Sequence, residues 1–489
     1  MSKFEKFEEK IFLIAISTIL IFVACSIVIS VIPVFNIVSQ VEKRYVRKNI
    51  HSIEAKKDVD AMMKAMEIMR KMPCDNPLSW YYQSAIHWVP DSISNNPLCE
   101  SYHTFTDKKI AWDNCTHSPS SKEKIHFLVW HRLYIYHFEK IIRKLSGYPE
   151  FALPYWAYTN NSTKDKSLHP AFRTTASSLY EACRFDSLNL GFPMQGEVER
   201  SLDLTKLMSY TRFDMFSNVI DAAPHGAIHD YVGHGNDTTE KRFNNPITGT
   251  ITPDGLMGSV RTAGFDPVFW THHSNIDRIW QQWTNSENGK LITLEELKSV
   301  PWDYVFFDEH GKKVVYTPEQ IIGIIYDLDY DFDDTKVKSK KENQILSAIT
   351  SIGISKKVNI SVSGKRTDFT IDMPQQTLNK SQKKVLCRVT VSFTKKPRGV
   401  YEVYANLPKG IIPHPSIPSF GGFMTFFGSD HQMKEEGCDG GCCRKTTKSG
   451  RTTMSFEFEI NKAQSYSISV YKHNGMHTSD LVIESINIR

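Results

Sequence analysis

Six histidines in two frames are the residues of this chain best placed to do chemistry. The first frame runs from Ser79-Trp80-Tyr81-Tyr82 to His87, passes Cys115-Thr116-His117, and ends at Trp130-His131-Arg132. The second holds Pro224-His225-Gly226-Ala227-Ile228-His229, followed by Asp266-Pro267-Val268-Phe269-Trp270-Thr271-His272-His273. Three imidazoles per frame, with almost no carboxylate or thiolate beside them, suit copper. Imidazole serves both Cu(I) and Cu(II), whereas carboxylate-rich sets select Mg, Ca or Mn. Two such triads in one domain point to a coupled copper pair that binds dioxygen. Surface histidines on a helix, or a three-histidine zinc site with an open position, compete as readings of either frame alone. Two complete frames in one chain outweigh both.

The elements that must position these side chains are legible around them. His225 and His229 are four apart and share one face of a helix, with Pro224 where a first-turn proline costs nothing. Asp266 is expected to cap a second helix with Pro267 in its first turn. Phe269, Trp270, His273, Ile276, Ile279, Trp280 and Trp283 then keep helical spacing into a core. His272 and His273 point in different directions there, so only one is expected to join His225 and His229. Asp277, one turn beyond His273, is expected to orient its ring. His131 opens an amphipathic helix from Trp130 to Leu145. His126, five residues before it, falls on nearly the opposite face and shares a metal with His131 only if a loop intervenes. His117 lies in Ser/Lys-rich sequence that reads as a loop able to turn inward.

Residues 79–283 resemble the tyrosinase and catechol oxidase (polyphenol oxidase) family of type 3 copper proteins. The matching stretches are Trp112-Asp113-Asn114-Cys115-Thr116-His117, residues 127–139, Leu153-Pro154-Tyr155-Trp156, residues 224–229 and, most specifically, residues 266–283. Carried over residue by residue, the resemblance implies a first copper held by His87, His117 and His131. It implies a second held by His225, His229 and His273. In several branches of that family a Cys-x-His element carries a thioether, so Cys115 is expected to be joined to His117, which favours His117 over His126. Two departures stand out. The stretch from His117 to His131 is longer than the family's spacing, so residues 118–124 are expected to form an inserted loop. Asp221 stands where the family often has a Glu that holds a water near the phenol, and Gly226 where strong monophenolases often have Asn. Both lean toward diphenol oxidation rather than phenol hydroxylation.

The chain has 489 residues, enough for two or three domains, and a net charge of +5 with mixed signs, which gives no nucleic-acid surface. Residues 11–35 are uncharged and almost wholly apolar, long enough to span a bilayer. They predict an N-terminal, single-pass membrane anchor within residues 1–50. Its flanking charges leave orientation open, although a catalytic domain outside the cytoplasm is favoured. Among nine cysteines, Cys74 and Cys99 flank the start of the first triad and are candidates to pair. Cys438, Cys442 and Cys443 read as a loop thiol cluster or local disulfide in preference to a soft Cu(I) site. Met62, Met66 and Met69 make a helical stripe better read as core packing than as metal binding.

The predicted fold class is α+β: a mainly helical, four-helix-bundle dicopper domain over residues 51–290, a linker over 291–344, and an antiparallel β-sandwich over 345–489. Strands are expected at 385–393, 400–405, 453–460, 466–471 and 481–488, where β-branched and aromatic residues alternate between Pro/Gly turns. Tyr326 and Tyr330 resemble the tyrosine-bearing joint before the family's C-terminal domain, which shields the copper entrance in relatives. The function implied is oxidation of small o-diphenols to o-quinones with dioxygen at two copper ions, with monophenol hydroxylation as a further capacity. A hemocyanin-like oxygen carrier and an o-aminophenol or arylamine oxidase are the alternatives. Phe269, Trp270, Val260 and Arg261 are candidates for the pocket wall, though the two aromatics fit core packing better.

Overall fold

Helices form where apolar residues recur with helical spacing, and the ends follow capping chemistry. A computed structural model of the protein describes residues 44–88, 115, 123–234, 243–336, 354–372, 384–429, 450–459, 465–472 and 480–488. Helix α1 (Lys56–Met69) buries Met62, Met66 and Met69 completely, so the methionine stripe is core. Helix α2 (Trp80–His87) starts at Ser79, whose hydroxyl accepts the Tyr82 N–H at 3.0 Å, and ends on His87. Helix α3 (Phe127–Ser146) is closed by Gly147 at φ 70°, a left-handed position that glycine adopts without cost. Helices α4 (Phe213–Ile220), α5 (Ala227–His234) and α6 (Val268–Asn285) complete the set that builds the site. As expected, Asp266 caps α6: its Oδ1 accepts the Val268 N–H at 2.9 Å, while buried Arg184 pairs with the same carboxylate at 2.6 Å.

Two departures from helical expectation bear on the site. His225 does not belong to the regular turn that carries His229. Residues Asp221–Gly226 form a wide π-type turn in which Ala223 is extended, and regular helix begins at Ala227. Asp277 does not orient His273. It lies in a buried ion-pair network with Arg47 (2.9 Å), Arg132 (2.5 Å) and the Tyr330 hydroxyl. Arg47 also pairs with Glu139 of α3 at 2.7 Å. The guanidiniums lie against aromatic faces, Arg47 on Tyr330 and Arg132 on Trp280, each 3.6 Å from the ring centroid. Strand β1 (Tyr45–Arg47) runs parallel to β2 (Tyr330–Phe332), so the tyrosine joint and the first described residues together clamp α3 to α6.

The segment read as a linker, 291–344, is in its described part an integral layer of the helical unit. It folds into helices Leu294–Lys298 and Pro318–Ile324 and a hairpin pairing Val305–Phe307 with Lys313–Val315. Tyr304, Phe306, Ile321 and Ile325 are buried in the main core. Apolar side chains without long periodicity were enough to pin it, which composition alone does not reveal.

Beyond it, two four-stranded antiparallel sheets form the expected sandwich. With β3 (Ile354–Ser361), β4 (Arg366–Asp372), β5 (Lys384–Phe393), β6 (Tyr401–Ala405), β7 (Phe420–Met424), β8 (Gly450–Glu459), β9 (Ser465–Lys472) and β10 (Val482–Ile488), the orders are β7-β6-β9-β4 and β8-β5-β10-β3. Val389, Val391, Tyr401, Val403, Phe456, Ile468 and Ile483 fill the space between them. Strands β3, β4 and β7 add to the five expected from sequence.

Sandwich and helical unit are joined by specific contacts: Arg200 to Glu402 at 2.6 Å, Lys396 to the Gly258 carbonyl at 3.0 Å, and Thr425 Oγ1 to the Ala222 carbonyl at 2.8 Å. The apolar run 11–35 lies outside the described residues. Among those described, no helix is long and apolar enough to cross a membrane. Cys74 is disulfide-bonded, and Cys99, Cys438, Cys442 and Cys443 lie outside the described residues.

Candidate metal centre

Five of the six histidines expected as ligands converge; the sixth, His117, lies outside the described residues. His87 at the end of α2, His131 in α3 and Cys115 present ligand atoms within 4.8 Å of one another, as do His225, His229, His272 and His273. The clusters face each other. The His131 and His273 rings stack almost parallel, 4° apart in plane, with centroids 4.2 Å apart. Phe269 packs among His87 (4.8 Å), His229 (6.0 Å) and His273 (4.2 Å), so it is a wall of the site itself. Trp270 instead stacks on Phe138 in the core.

Carbonyl groups set the imidazole tautomers. The Nδ1–H of His87 donates to Val260 O (3.1 Å), that of His131 to Phe127 O (2.7 Å), that of His225 to Asp221 O (3.0 Å) and that of His229 to Met257 O (2.9 Å). With the proton on Nδ1, the lone pair is on Nε2, the form in which imidazole binds a metal. Val260, expected in the pocket wall, therefore acts through its carbonyl. Burial, and behind it His131, His225, His272 and His229, holds the His273 pKa well below the usual histidine range, so this ring is neutral.

The adjacent histidines differ in their hydrogen bonding. Both reach the second cluster, but His272 Nδ1 is hydrogen-bonded to the Tyr158 hydroxyl at 2.9 Å. Both ring nitrogens of His273 are buried without a hydrogen-bond partner, a cost that a bound metal would relieve at one of them. His126 is not available as a ligand. Its Nδ1 meets Tyr304 Oη and its Nε2 accompanies Val300 O, each at 2.7 Å, and burial depresses its pKa to about 4. Cys115 Sγ lies 3.6 Å from His131 Nε2.

Around the second cluster, Asp221 reaches Lys124 with one carboxylate oxygen (2.7 Å) and His225 Nδ1 with the other (3.2 Å). Gly226 backs onto the sandwich: a Cβ there would lie 2.7 Å from Thr425 Oγ1 and 3.3 Å from Phe427 Cβ. Phe427 stacks on His229, centroids 3.9 Å apart and planes 15° apart, and meets His225 edge-on at 5.5 Å. Sequence alone gives no role at the metal centre to Lys124, Tyr158 or Thr425, and Phe427 enters only through Phe426-Phe427-Gly428, which resembles the family's C-terminal domain. Thr425 and Phe427 come from about 200 residues away, and nothing local places them at the histidines.

Residues 77–187 and 191–286 match the family model of the common central domain of tyrosinase. This stretch is thus similar to a tyrosinase central domain. The chain is 25% identical over 306 residues to a tyrosinase of Hahella sp. (strain CCB-MM4), covering 54% of this chain and 59% of that protein. It is 23% identical over 437 residues to a chloroplastic polyphenol oxidase of Malus domestica, covering 77% of this chain and 68% of that one. The matched region thus spans under two thirds of the Hahella tyrosinase. The structure of latent apple tyrosinase has the same fold, with a TM-score of 0.62 at 19% identity, covering 91% of this chain and 97% of that one. A binuclear copper centre is the cofactor of tyrosinases, and the carbonyl-oriented imidazoles together with the neutral His273 ring fit it.

Proposed function

We propose that this chain oxidises small o-diphenols to o-quinones, two catechols per dioxygen, with four electrons and four protons leaving the substrates to form two waters. Copper, when bound, supplies the dioxygen chemistry. The chain's own residues supply geometry. His87, His117 and His131 would hold one ion, and His225, His229 and His273 the other, with carbonyls fixing the rings and Phe269 helping to exclude water. The observation that carries the reading is the parallel His131–His273 stack, which sets two imidazole clusters face to face.

The remaining features complete this reading. Gly226 and the short Asp221 side chain favour diphenol oxidation over monophenol hydroxylation. A thioether from Cys115 to His117 belongs to the proposal, to be sought by mass spectrometry of tryptic fragments. The sandwich acts as a shield, its Phe427 ring lying over His229. An anchor at residues 11–35 would hold a catalytic domain outside the cytoplasm. The test is copper content together with oxygen uptake on catechol, before and after cleavage between residues 336 and 354. Two coppers per chain and turnover that rises on cleavage are expected. Two coppers with no turnover in the cleaved protein would point to an oxygen carrier instead.

A further inference from the structure

We infer that Lys124 is a positioning residue for the second copper site, and that through it Asp221 serves His225 rather than the phenol. This inference rests on the dicopper reading above. Asp221 is placed to present two acceptors to one imidazole proton: its carbonyl lies 3.0 Å and its Oδ1 3.2 Å from His225 Nδ1. A carboxylate on the outer nitrogen of a ligand histidine fixes ring orientation and tautomer and raises the basicity of the inner nitrogen.

A carboxylate so buried, 7% exposed, needs a compensating charge, and Lys124, 12% exposed, supplies it at 2.7 Å through Oδ2. The cation thereby turns the other oxygen toward His225. Lys124 is itself held: its carbonyl accepts the Ser217 hydroxyl of α4 at 2.6 Å. Lys124 follows the chain segment bearing Cys115 and His117 and lies in the short turn Glu123–His126 that leads into α3, which carries His131. Asp221 opens the wide turn that carries His225. The ion pair therefore ties the backbone of the first cluster to a ligand of the second. Aspartate suits this role because its short side chain keeps the carboxylate close to its own backbone, within reach of the ring four residues on. Both oxygens are thus committed, one to a cation and one to a ligand ring.

The test is copper retention in the full-length holoprotein, followed as loss to a chelator. Lys124→Met is expected to release the second copper at least tenfold faster than wild type, as loss of an outer-sphere partner typically does. Lys124→Arg keeps the cation and is expected to retain copper as wild type does. Asp221→Asn, nearly unchanged in volume, is expected to match Lys124→Met, and it also decides the question if Lys124→Met does not fold. Wild-type retention in Asp221→Asn overturns the inference, as does equal copper loss from Lys124→Met and Lys124→Arg. Chelator competition reads copper alone, so absence of catechol turnover in wild type would defeat the proposed activity and leave this result standing. A wild-type chain binding no copper overturns both.

Discussion

Replacing Phe427 by alanine should unmask the copper site while leaving the sandwich in place. The Phe427 ring is half-buried and lies face to face with His229 at 3.9 Å. Truncating a fully buried Phe costs about 3–5 kcal/mol, so a half-buried one contributes roughly 2 kcal/mol to the covered state. That corresponds to a roughly 30-fold shift toward the uncovered state, at about 1.4 kcal/mol per tenfold. The other joints, Arg200–Glu402, Lys396 to the Gly258 carbonyl and Thr425 to the Ala222 carbonyl, are untouched, so the domain should stay docked. The assay is oxygen uptake on catechol by the uncut protein at matched copper content. Turnover should rise by about tenfold or more, up to the level of cleaved enzyme, and the difference between variant and wild type should vanish once both are cleaved. A copper-replete Phe427→Ala chain with wild-type activity would refute the cover. A gain that survives cleavage would place the effect elsewhere.

Gly226→Ala should also raise the activity of the uncut chain, because its Cβ would meet Thr425 Oγ1 at 2.7 Å and Phe427 Cβ at 3.3 Å, and overpacking of this kind costs about 1–3 kcal/mol; activity falling while copper stays bound would count against this. His273→Ala should bind one copper instead of two, whereas His272→Ala, losing the Tyr158 hydrogen bond and ring contacts with His225 and His229, should keep both; metal analysis decides, and the reverse pattern would overturn the ligand assignment. His126, with its pKa near 4 in the fold against about 6.5 when unfolded, takes up its proton more readily in the unfolded chain. Its contribution to stability is therefore full above pH ~6.5 and is lost as pH falls toward 4, on the order of 3 kcal/mol. Denaturant melts across that range should show a shallower pH slope in His126→Gln, with both coppers retained; an unchanged slope would mean that His126 does not titrate this way.

Local rules reached a long way into this protein. Capping at Ser79 and Asp266, helical spacing through α3 and α6, and alternation in β5, β6 and β8 to β10 depend on neighbours within a few residues, so the chain alone determined them. The same holds for the histidine frames, because His229 and His273 ride on segments whose inward face is set by apolar periodicity. The sequence left open what depends on groups distant in the chain. Nothing near His126 in the chain shows that Tyr304 and the Val300 carbonyl occupy its two nitrogens. Asp277 was one helical turn from His273, yet Arg47 and Arg132 offered full charges where the imidazole offered one weak donor, and the stronger partners took the carboxylate. Residues 291–336 carried no long periodicity, and their burial was decided by the surface they cover. Gly226 illustrates the division most directly. Sequence marks it as a missing side chain beside a ligand, while only tertiary structure brings Thr425 and Phe427 into the space that side chain would fill.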